Sequence, residues 1–148
     1  MGQQQLLLIV LGIIIVGIAV AVGINMFKSS AIDANRNAIV SDLAHLASKA
    51  QQFYKKPNSM GGGAQNFNGF NLNTLDQTND NGQYRFVADS SSAAAVNAAL
   101  TGGSTSITAS TQTIWIAGWG SEIGDDDTNP VKAWARITGD DFITRVVN

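Results

Sequence analysis

LLLIVLGIIIVGIAVAVGI, residues 6–24, is a run of nineteen residues without a charge, and only Gln3, Gln4 and Gln5 give the start of the chain any polarity. At about 1.5 Å of helical rise per residue, such a run spans roughly 28 Å, close to the hydrocarbon thickness of a bilayer. No basic residues precede it, as they would in a secretory signal. An N-myristoyl signal at Gly2 is disfavoured, because Leu6 stands where that signal needs Ser or Thr. Gly12, Gly17 and Gly23, with Ala19 and Ala21, let neighbouring helices approach closely, although no strict GxxxG spacing is present. The run is therefore either a membrane anchor or a rod through which copies of the chain bundle.

Beyond it the pattern turns amphipathic. Ile32, Ile39, Leu43, Leu46, Ala50 and Phe53 recur at spacings of seven, four, three, four and three, which places all six on one helical stripe. No Gly or Pro interrupts residues 24–56, and Pro57 stops the helix. Residues 1–56 thus read as one helix, with an apolar half at 1–27 and an amphipathic half at 28–56. Residues 57–148 are left for a small head whose core is completed by packing on the stripe.

In the head, an Asn- and Gly-rich connection runs from 58 to 82, and its short polar side chains suit local turns. Strand-like alternation follows at 83–88 (QYRFVA), 113–119 (TIWIAGW), 131–137 (VKAWARI) and 142–147 (FITRVV), and 105–110 reads as a further strand. Thr138, Gly139, Asp140 and Asp141 make a hairpin turn between the last two, and Ala-rich 90–100 reads as a short helix. The expected fold is α+β: a long N-terminal helix, apolar half exposed and amphipathic half packed, under an antiparallel sheet of about four strands.

The formal charge of −2 is unevenly spread. Residues 1–60 carry Lys28, Arg36, Lys49, Lys55 and Lys56 against Asp33 and Asp42, a net +3, and the rest of the chain carries a net −5. A basic stem and an acidic head attract one another between subunits, or form an ordinary solvated surface. No basic patch with interleaved aromatics is visible along the sequence, so no nucleic-acid contact is expected. The absence of cysteine excludes disulfides and thiolate metal sites, and the lone His45 excludes a histidine cluster and reads as a packing or surface residue. Asp125, Asp126 and Asp127 in GDDDTNP are weak candidates for a hard cation, but a solvated acidic turn explains them equally and EF-hand spacing is missing. Asp76 and Asp80 raise the same two readings. Trp115, Trp119 and Trp134 sit among apolar strand residues and read as sheet packing. No nucleophile–base pair, phosphate-binding loop or metal triad is present, so no enzyme and no cofactor are expected.

Met1, four further residues, the apolar run and a continuous amphipathic helix together resemble the mature start of type IV pilins and the related pseudopilins, over residues 1–56. The resemblance implies a leader removed by a prepilin peptidase, with Met1 as the processed, N-methylated terminus. It implies residence in the cytoplasmic membrane, then extraction by a pilus assembly machinery into a cell-surface filament. The filament core would comprise Gln5, Leu6, Leu7, Ile9, Val10, Ile13, Ile14, Val16, Ile18, Val20 and Val22, and the partners would be other copies of the chain. Adhesion, motility, DNA uptake and secretion are all roles such filaments serve. The chain departs from the family in carrying Gln5 where Glu is usual, in lacking a Pro near Val22 and in lacking a C-terminal disulfide loop. The first departure leaves open a minor pilin or a pseudopilin of a secretion system. A single-span, membrane-anchored extracellular binding module is the remaining alternative.

Overall fold

The computed structural model describes residues 2–87, 102–126 and 128–147. One helix, α1 (Gly2–Lys55), runs unbroken for 54 residues, about 80 Å, and Pro57 follows its end. A short α2 (Thr74–Gln77) leads into five strands: β1 (Thr78–Asn79), β2 (Gly82–Val87), β3 (Thr113–Ile123), β4 (Pro130–Thr138) and β5 (Phe142–Val146). These form one antiparallel sheet in the order β1-β2-β3-β4-β5, in which each strand pairs with its sequence neighbour. The fold is α+β, with the sheet laid across the second half of α1.

Only that second half is covered. Ile32 is the first buried residue among those described, and Ile39, Leu43, Leu46, Ala47 and Ala50 follow on the same stripe. Phe53 is half-buried, its ring 5.4 Å from that of Phe70. The seven-residue gap between Ile32 and Ile39 is filled by Asn35, buried although polar, whose Nδ2 donates to the Asn81 carbonyl at 3.0 Å. Opposite it, β3 presents glycine. A Cβ on Gly120 would stand 1.8 Å from Asn35 Oδ1, and one on Gly118 would stand 2.9 Å from Ile39 Cγ2. The two bare backbone positions let the helix lie close on the sheet. The sheet meets the helix with Tyr84, Phe86, Ile114, Ile116, Val131, Ala133, Ala135 and Ile137.

The Asn-rich connection is ordered from within. Asn73 Oδ1 accepts from the Thr74 amide, and Asn79 Oδ1 accepts from the amides of Asn81 and Gly82. The same connection inserts Phe67, Phe70 and Leu72 into the core, which its polar composition concealed. The strand expected at 105–110 is reduced to isolated bridges at Ser104 and Ser106. Ser104 Oγ donates to the Ser106 carbonyl and accepts from its amide, and such local bonds compete with a ladder. The turn at 138–141 does close β4 onto β5, with the Thr138 amide donating to the Asp141 carbonyl at 2.8 Å. The helix expected at 90–100 lies outside the described residues.

Asp42 ties helix to head. Its Oδ2 accepts from Tyr84 Oη at 2.7 Å, Asn79 Nδ2 at 2.8 Å and Asn81 Nδ2 at 2.9 Å. Burial pushes its carboxyl upward, but bonds from Asn81, Tyr84 and Asn79 outweigh that and hold it below the ordinary carboxylate value. Burial, then the bond to Asp42, pushes the Tyr84 phenol up. Asp42→Ala is expected to cost about 2–3 kcal/mol at pH 7, because the buried phenol loses its acceptor. With the folded value below the unfolded one, this contribution is present above about pH 4 and fades as pH falls through the folded value. Thermal unfolding at pH 7 and pH 3 should therefore show a wide gap between wild type and variant that narrows in acid.

Candidate functional site

Two surfaces stand out: the bare half of α1 and the face of the sheet turned away from it. Of the residues expected in a filament core, Gln5 is exposed, and so are all the apolar ones, from Ile14 at 53 % to Leu7 at 71 %. Among the described residues, none before Ile32 is buried. Gly12, Gly17 and Gly23 have open space where a Cβ would stand, so another helix can come close there. By length and composition this is a helix able to cross a membrane. Met1, the expected processing site, lies outside the described residues.

Ion pairs join stem and head within one subunit. Arg36 binds Asp33 at 3.2 Å and Asp125 at 2.6 Å, Lys49 holds both oxygens of Asp76 at 2.7 and 2.9 Å, and Lys55 lies 3.9 Å from Asp140. Asp125 and Asp126 both lie in the loop between β3 and β4. The first pairs with Arg36, and the second accepts from the amides of Thr128 and Asn129 and from Asn129 Nδ2. Asp127 lies outside the described residues. Among the described residues no group of three His, Asp or Glu comes together. His45 is exposed on α1.

The outer face of the sheet escaped the sequence reading. Register aligns its side chains in rows across the strands: Val87, Trp115, Arg136 and Ile143 in one, and Arg85, Ala117, Trp134 and Arg145 in the next. Gln83, Trp119 and Lys132 begin a third. All four cations of residues 61–148 lie on this one face, among all three tryptophans. Trp115 and Trp134 are half-buried, with ring centroids 5.1 Å apart. Trp119, Ala117 and Lys132 are buried beside them, and the indole N–H of Trp119 has no acceptor among the described residues. The residues are scattered from 83 to 145, and only strand pairing interleaves them.

No family model, curated protein or solved structure matches this chain.

Proposed function

We propose that the protein is a structural, non-enzymatic subunit of a type IV pilus-like filament on the cell surface, held in the cytoplasmic membrane by the apolar half of α1 until assembly. The single observation that carries this reading is that half of an unbroken 54-residue helix is apolar and bare while its other half is fixed to the head. Apolar surface of that extent requires either lipid or other helices around it. The continuity of α1 favours helices. A rod that runs without a break into the head sets one fixed relation between bundle and head, which an open assembly repeating one heterologous contact requires. A mere tether needs no such stiffness. The small residues at 12, 17, 19, 21 and 23 add room for close helix contact.

Gln5 is compatible with this role. A neutral amide is less costly to bury in a helix bundle than an unpaired carboxylate and still hydrogen-bonds. It forfeits the charge pairing that a Glu makes with a neighbouring terminal ammonium, which also fits a minor, tip-located subunit or a pseudopilin. The competing reading is a single-span anchored binding module, favoured by the length and apolarity of residues 6–24 alone.

Mass spectrometry of the native N-terminus, combined with electron microscopy of material sheared from cells, separates the readings. A methylated terminus in fibres of uniform width is the expected result. A longer unprocessed chain found only in membranes, without fibres, would sink the filament reading.

A further inference from the structure

We infer that the outer face of the sheet is a docking surface for single-stranded nucleic acid, with Trp115 and Trp134 stacking bases and Arg136 and Arg145 holding phosphates. Each half-buried indole has an arginine as its direct cross-strand neighbour: Trp115 pairs with Arg136, and Trp134 with Arg145. Directly opposed side chains of this kind lie about 5 Å apart at Cβ, within one nucleotide of each other. Arg145 is exposed and Arg136 half-buried, and neither meets a carboxylate among the described residues, whereas Arg36, Lys49 and Lys55 all do.

Flat aromatic platforms beside unpaired arginines are what a single strand needs. Every base has a face to stack, and every step carries a phosphate. An antiparallel sheet covered by a helix on one side and bearing aromatics on the other is also a general way of reading single-stranded RNA. None of the described carboxylates stands in the two central rows of the face: Glu122 lies past Trp119, where the register of β3 shifts, and the others belong to α1, α2 or turns. The acidic loops of a second copy are the competing occupant. A carboxylate meets the arginines but leaves the two indoles without a stacking partner, whereas a nucleotide engages both. The inference is independent of filament assembly. In a filament cored by α1, the face opposite the helix would point away from the core.

The test uses the full chain in detergent micelles and a fluorescein-labelled oligothymidylate of about twelve nucleotides, within the usual site sizes for such surfaces. Saturable binding with quenching of tryptophan fluorescence is expected. Its log–log salt slope should be about −1.4, from two phosphate contacts at roughly −0.7 each. Arg136→Gln with Arg145→Gln should flatten that slope, and Trp134→Leu should weaken binding roughly 5- to 150-fold while Trp134→Phe retains most of it. The arginine variant alters side chains outside the core, so it decides the matter even if Trp134→Leu fails to fold. Absence of saturable binding at low salt would overturn the inference. So would equal binding of heparin with no quenching and no effect of Trp134→Leu, which would mark a bare cationic patch. Salt-sensitive self-association lost in the arginine variant, without oligonucleotide binding, would assign the face to a second copy instead.

Discussion

Lysine at Ile14 is expected to abolish fibres while leaving the head folded. Ile14 sits mid-way along the bare half of α1 and is 53 % exposed in the single subunit. In a bundle of such helices it would be enclosed on all sides by apolar neighbours. A charge at the centre of an apolar environment of this depth costs about 2.5–3.5 kcal/mol even where snorkelling relieves it. A filament repeats that cost at every subunit, and no carboxylate occurs in residues 2–32 to pair with the ammonium. The measurement is a count of fibres by electron microscopy, alongside circular dichroism of the detergent-solubilised variant. Gln5→Glu is expected to assemble normally, because a carboxylate there gains the terminal ammonium of a neighbour as a partner. Normal fibres from Ile14→Lys would contradict a buried core at that position.

Leu43→Ala and Leu7→Ala make the same chemical change in the same helix with opposite expected results. Leu43 is fully buried in the cluster of α1 and sheet, and Leu7 is 71 % exposed. Removing a buried leucine loses its transfer free energy and leaves a cavity, about 2–5 kcal/mol together. That is a large share of the 5–15 kcal/mol available to a typical domain. For a head of this size, each kcal/mol corresponds to roughly 4–8 °C in Tm, so Leu43→Ala should lower the melting point by at least about 8 °C. Leu7→Ala should leave the melting of the solubilised subunit unchanged and weaken only association. Thermal unfolding of both variants under one set of detergent conditions checks the contrast. Equal melting points would mean that the stripe does not anchor the head.

Period and apolarity made the helix and its division into two halves legible. Nineteen apolar residues and a stripe at helical spacing admit few other arrangements. Four strands were legible because residues alternate between the helix face and the outer face. Elements specified by pairing rather than composition were not. β1 is two polar residues recruited by β2, and β3 extends past Trp119 through a register shift before Ile123. Asn35 was hidden for a related reason. A polar residue in the gap of a stripe looks like solvent surface until its partners, Asn81 and Ser121, arrive from the head. The outer face is the sharpest case. Arg85, Trp115, Trp134 and Arg145 are separated by tens of residues along the chain, and no linear scan places them together. Antiparallel register puts two of the tryptophans beside arginines, so the surface exists only at the level of the sheet.

Because the chain contains no cysteine, a single one introduced anywhere reports only on its own neighbours. A cysteine scan across residues 6–24, with a short bifunctional thiol crosslinker applied to sheared cell-surface material, tests the central claim most directly. Self-association through this segment predicts ladders of dimers and higher species, strong at positions recurring every three to four residues along the contacting face. Monomers at every position, in chains recovered only from the membrane fraction, would contradict it.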